Sequence, residues 1–162
     1  MASNTAPLSE TDYTRISCSA AESFTEAYYT ALDSSRTTLT SYYVPTTTTP
    51  RPLPHISYNG DVLNDSSHFQ SKFAEMPWTH FEVQSLNVHV MNRCLEPPEG
   101  KSKRELERNM SLTVQVSGYV RLFERKEGPM RGFSETFVLV PGKGGAGGRE
   151  WVIQTQNFRF VT

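Results

Sequence analysis

A chain of 162 residues with a formal net charge of -1 and 20% charged residues can bury a core of its own, and it carries no global field to drive bulk binding to nucleic acid or membrane. Aromatic residues make up 11% of it, which excludes the composition of a polar disordered chain. Cys18 and Cys94 are the only cysteines; they form neither a CxxC pair nor a disulfide framework, which argues against structural zinc and fits a reducing compartment.

The start, Met1 to Pro7, has neither the basic opening nor the apolar core of a signal peptide, and no apolar run approaches the roughly 18 residues of a membrane span. The expectation is a soluble intracellular protein with no membrane contact, no cofactor and no metal. It would be one domain over residues 1–162, with a flexible arm at 1–11 and loops at 44–54, 93–109 and 141–150. From Asp12, read as the cap, Tyr13, Ile16, Ala20, Phe24, Ala27, Tyr28 and Ala31 recur every three or four residues and predict a long amphipathic helix. Asp33-Ser34-Ser35 interrupts it and offers caps for a second, shorter helix running to about Tyr43. Prolines and the threonine run Thr46 to Thr49 make residues 44–54 a loop. Asn59-Gly60 between His55-Ile56-Ser57-Tyr58 and Asp61-Val62-Leu63 predicts a tight hairpin. A third helix carries Phe69, Phe73 and Met76 on one face and stops at Pro77.

Four long strands follow. In Thr79 to Asn92, Phe81 and Val83 have one parity and Leu86, Val88 and Val90 the other, which places a bulge near Gln84 and Ser85. Arg93 to Asn109 is charged, contains prolines and reads as a mobile loop with at most a turn of helix. Ser111 to Glu124 buries Leu112, Val114, Val116, Val120 and Leu122 on one face; Thr113, Gln115, Ser117, Tyr119, Arg121 and Phe123 occupy the other. That second face is polar but scarcely charged. Two readings of it stand, a surface docked on another protein and a solvated exterior. Phe133 to Val140 forms the next strand, with Phe133, Phe137 and Leu139 inward. In the last, Trp151 to Val161, the apolar phase changes again, so a bulge near Gln154 to Gln156 must turn Phe158 and Phe160 inward and Asn157, Arg159 and Val161 outward. The order predicts an α+β domain, a bent antiparallel sheet wrapped around three helices.

With AAESFTEAYYTALD in the first helix, YNG in the hairpin, FxExFVL in Phe133 to Leu139 and WxIxxxxFRF in the last strand, that order resembles the nuclear transport factor 2-like family over roughly Ala20 to Val161. Within it, the chain is most similar to small subunits of heterodimeric messenger-RNA export receptors, and its long loops resemble the fungal branch. The resemblance implies a cone-shaped fold, sheet-to-sheet pairing with the related domain of a large subunit, and passage of messenger ribonucleoprotein past the phenylalanine-glycine repeats of the nuclear pore. Shuttling between nucleus and cytoplasm is implied too. Arg159 matches the arginine that pairs with an aspartate of the large subunit; parity alone favours a sheet-edge arginine held by water, and the resemblance reverses that. Asn157, Val161, Tyr119, Arg121, Phe123 and Gln115 complete the expected interface. Position 135 holds an acid where relatives usually carry glutamine.

The fold also hosts small enzymes, so a homodimeric isomerase or dehydratase is the alternative, with His80, His89, Glu82, Glu135, Tyr28 and Tyr58 as candidates. No pair of them must meet in space. For Glu135 the expectation is a rim position facing a partner arginine or a backbone N–H; an interior carboxylate of raised pKa is the other reading. Gly142 to Gly148 lacks the phosphate-loop spacing and a following helix, and reads as a hairpin loop. Lys101, Lys103, Arg104 and Arg108, diluted by Glu105 and Glu107, form either a solvated loop or an auxiliary contact to an RNA backbone.

Overall fold

A computed structural model of the chain describes residues 6–122, 128–144 and 148–161. The first helix, α1, spans Glu10–Ser34 and starts earlier than expected. Ser9, not Asp12, is its cap: the Asp12 amide donates to Ser9 Oγ at 3.1 Å and the Ser9 amide to Asp12 Oδ2 at 2.9 Å, a reciprocal capping box. Leu8 packs against the core, so the free arm does not extend to residue 11. A 3-10 helix, Arg36–Tyr42, takes no side-chain cap. Asp33, expected to provide one, instead accepts from the Phe81 amide and the Thr79 hydroxyl.

The hairpin is β1 (His55–Tyr58) and β2 (Asp61–Leu63), turned by Asn59 and Gly60 at positive φ of 49° and 95°. Helix α2, Ser66–Ala74, is capped by Asp65. Arg36 fastens the end of α2 to α1: its guanidinium donates to the carbonyls of Leu32, Phe73, Met76 and Pro77 and to Thr79 Oγ1. These carbonyls lie at or just past the C-terminal ends of α1 and α2, where intrahelical donors run out, so one cation reaches several at once; Phe73 also accepts from the Met76 amide at 3.1 Å.

Strands β3 (Thr79–Asn92), β4 (Ser111–Leu122), β5 (Met130–Pro141) and β6 (Trp151–Val161) complete a six-stranded sheet of order β2-β1-β6-β5-β4-β3. The long strands are antiparallel as expected; β1, however, joins β6 in parallel. Both inferred bulges are present, at Gln84 and Gln154, where the register skips one residue. Gly118 lies beside the first, and a Cβ there would sit 1.9 Å from the Glu82 carbonyl oxygen. The inner face presents Leu112, Val114, Val116, Phe133, Phe137, Leu139, Ile153 and Phe158 to the helices, all buried. Phe160 is turned inward but only partly covered, with Arg131 over its ring at 4.0 Å.

The segment 93–109 is held rather than mobile. Arg93 grips Glu10 with two bonds of 2.6 and 2.7 Å, Asn109 braces the Glu96 backbone, and Glu107 meets Arg15 at 3.2 Å. Its one helical turn, α3, is Lys103–Leu106. Asn109, the first residue of an Asn-Met-Ser glycosylation sequon, is buried by these contacts.

Candidate partner interface

The outer face of the long strands reads off the register in rows. Asn157, Thr136, Gln115 and Asn87 form one; Arg159, Ser134, Ser117 and Ser85 form the next. Val161, Gly132, Tyr119 and Glu82 form a third, and Thr155, Val138, Thr113 and His89 a fourth. Glu82 and His89 lie on the edge strand β3, so the central strands offer Arg159 as the ionised group of these rows. Tyr119 and Val161, 46% and 51% exposed, flank Gly132 and make an apolar corner. Of the expected interface residues, Arg159, Asn157, Val161, Tyr119 and Gln115 are exposed on this face and Arg121 is half-buried at its end; Phe123 lies outside the described residues.

Arg159 makes no hydrogen bond or ion pair among the described residues. It leans over the hairpin turn, its Nη1 3.4 Å from where a Cβ on Gly60 would stand. An uncompensated guanidinium among serines, asparagine and glutamine is a surface that can take up a carboxylate.

The basic cluster divides. Lys101 is paired with Glu96 at 2.9 Å, and Arg108 donates to the Gly142 and Glu150 carbonyls and meets the Glu150 carboxylate at 3.4 Å. Lys103 and Arg104 stand exposed on α3. Arg104 also borders an open cavity of about 640 Å³, shared with Leu95, Val140, Pro141 and Gln154.

The enzyme candidates do not gather in one site: His80 meets Glu82 on the edge strand, while Tyr28 and Glu135 share a buried cluster joined by Gln156. His89 is exposed on β3. His80 lies between Asp33 and Glu82, at 3.6 and 3.7 Å, and stacks on Trp78. Tyr58 stacks on Phe158 at 4.6 Å. Glu135 is not at a rim: it is 1% exposed, deep between sheet and α1. Among the described residues no arginine or backbone N–H meets it; Tyr29 Oη donates to Oε1 at 2.7 Å and Gln156 Nε2 to Oε2 at 2.6 Å. The rim expectation fails because β5 keeps strict alternation, and Glu135 shares parity with Phe133 and Phe137. Burial pushes its carboxyl up to about 7 against the pull of those two donors. Burial likewise raises the phenols of Tyr28, Tyr29 and Tyr43 well above their ordinary range.

Sequence reading missed Tyr29, Tyr43 and Gln156 in this cluster. A signal for the last existed: past the bulge at Gln154, Gln156 has the parity of Phe158 and therefore faces inward.

The sequence matches the nuclear transport factor 2 (NTF2) domain family over residues 20–160, and the chain belongs to that family. It is similar to NTF2-related export protein 1 of Bos taurus, 22% identical over 148 residues, 91% of each chain. Among solved structures it resembles a Mex67:Mtr2 complex with bound Sac3N peptide (22% identity, 90% of this chain and 99% of that one, TM-score 0.73). It also resembles the Chaetomium thermophilum Mex67 NTF2-like domain complexed with Mtr2 (22%, 90% and 99%, 0.71). A scytalone dehydratase-like structure from Novosphingobium aromaticivorans shares the fold at 13% identity, over 94% of this chain and 89% of that one, with a TM-score of 0.64.

Proposed function

We propose that this chain is the non-catalytic small subunit of a messenger-RNA export receptor, pairing the outer face of β4, β5 and β6 with the NTF2-like domain of a large subunit. The observation that carries this reading is Arg159, a guanidinium with no acid to meet it among the described residues, set among uncharged polar side chains of the sheet face with Tyr119 and Val161 exposed beside it. Similarity to Mtr2, solved with Mex67, supports the same partner class. In this reading the heterodimer, not the lone chain, engages phenylalanine-glycine repeats of the pore and shuttles between nucleus and cytoplasm. Lys103 and Arg104 add a weak contact to the RNA backbone.

The second reading, a small-molecule isomerase or dehydratase, is favoured by one observation, the interior acid Glu135 in a fold shared with dehydratases. Against it, the acid and the side chains that touch it are sealed from solvent, so substrate would reach Glu135 only by displacing the aromatic core. Expression with and without the large-subunit domain, followed by size-exclusion chromatography with light scattering, separates the two. A 1:1 heterodimer, with self-associating material when the chain is alone, is expected of the export subunit. A stable homodimer indifferent to that domain would overturn this reading.

A further inference from the structure

Five buried side chains from four segments close on one another: Tyr28 and Tyr29 of α1, Tyr43 after the 3-10 helix, Glu135 of β5 and Gln156 of β6. Each available hydrogen can be assigned. Tyr29 donates to Glu135 Oε1. Gln156 Nε2 donates one hydrogen to Glu135 Oε2 and the other to Tyr28 Oη, at 2.6 and 2.7 Å. Tyr43 donates to Gln156 Oε1 at 2.6 Å, which leaves Tyr28 to donate to Tyr43 across 3.2 Å. Gln156, Tyr28 and Tyr43 thus form a ring in which every bond runs the same way. The inventory is complete only when Glu135 is ionised and accepts twice.

Among the described residues no cation answers that charge. The titratable groups that face Glu135 are the phenols of Tyr28, Tyr29 and Tyr43, with Tyr58 of β1 further off; Arg36 acts on Tyr58 and Asp33. The remaining wall is aromatic, Phe24 and Phe137 against Tyr28, Phe81 and Phe133 against Tyr29. A proton on Oε2 would set an O–H against an N–H at 2.6 Å. Turning the Gln156 amide by half a revolution removes the conflict, because its oxygen and nitrogen are nearly isosteric. Gln156 Oε1 then accepts from Glu135 and Tyr28, Gln156 Nε2 donates to Tyr43, and Tyr43 donates to Tyr28. The heavy atoms keep their contacts, the ring reverses, and one amide hydrogen is left without an acceptor.

We infer that Glu135 is a reversible proton-binding site whose proton sets the direction of the Gln156–Tyr28–Tyr43 hydrogen-bond ring. Burial brings its carboxyl to about 7, so both directions are populated around neutral pH. The site stands independently of the partner reading.

The test is a pH titration from 5 to 9 of the isotopically labelled full chain, alone or in its assembled complex, followed by NMR of the Glu135 carboxyl carbon and the Gln156 side-chain amide. Both signals should move with one shared midpoint near neutrality. In Glu135→Gln the new amide donates to Gln156 Oε1 at every pH, so the Gln156 signals should be flat and resemble those of the wild type at pH 5. Tyr29→Phe, which removes a donor to the ionised form, should raise the midpoint by about one pH unit, a tenfold change in proton affinity. A Glu135 signal that titrates below pH 5 or not at all, a Gln156 amide that stays still while Glu135 titrates, or a midpoint unmoved in Tyr29→Phe would each overturn the inference.

Discussion

Replacing Glu135 by glutamine should change how stability depends on pH more than it changes stability itself. Burial, the largest influence on this carboxyl, lifts it from an ordinary 4.5 to about 7 in the folded chain. Between those values the native state holds a proton that the unfolded state has released, so the contribution is full below about 4.5 and is lost as pH rises to about 7. At about 1.4 kcal/mol per pH unit, the loss amounts to about 3 kcal/mol. Glutamine carries no such charge, but with the Gln156 amide turned it leaves two amide hydrogens without acceptors, at about 1 to 3 kcal/mol each. The variant should therefore be less stable than wild type at pH 5 and close to it at pH 8. Urea denaturation of both proteins at the two pH values measures the difference, and groups common to both cancel. The gap should close by about 2.5 kcal/mol from pH 5 to pH 8, since about half a pH unit of the effect is already lost at pH 5. A gap constant to within about 1 kcal/mol would refute the buried, uncompensated carboxylate.

Arg36→Ala should cost about 2 to 4 kcal/mol in a urea melt, because its bonds to the Leu32, Met76 and Pro77 carbonyls have no substitute donor among the described residues, and Lys should recover less than half; a cost below about 0.5 kcal/mol would contradict this. Neutralising Lys103 and Arg104 together should weaken RNA binding by the assembled complex and reduce the slope of log affinity against log salt by about 1 to 2, with heterodimer assembly intact. Neutralising Lys101 and Arg108, already tied to Glu96 and Glu150, should change that slope less. A slope unaffected by all four returns the loop to a solvated one.

Much of the fold was legible because it is written in short-range alternation. The phase changes at Gln84 and Gln154 revealed both bulges, and Asn59-Gly60 fixed the hairpin turn. What escaped depends on contacts distant in sequence. Asp33 is a competent cap, yet β3 recruits it through the Phe81 amide. The 93–109 segment reads as mobile until Arg93 finds Glu10 across the fold. Ser9 and Asp12 are both cap formers, and only their reciprocal bonds decide between them. Parity placed Arg159 and Asn157 outward, but no local pattern tells whether an acid inside the same chain will meet the guanidinium. Glu135 was misplaced for a related reason: its partners come from α1 and β6, and an acid without a visible partner is ordinarily assigned to the surface.

Isothermal titration calorimetry of wild type and Arg159→Ala against the NTF2-like domain of the large subunit tests the central claim most directly. If Arg159 meets a carboxylate that assembly buries, the variant leaves that acid unpaired, at about 3 to 5 kcal/mol, or two to three decades and more in affinity. Its circular dichroism and thermal melt should match wild type, since the side chain is exposed and Phe158 and Phe160 are untouched. A loss of less than about threefold, the range of an exposed ion pair, would contradict the assignment of this face and of Arg159 as its anchor.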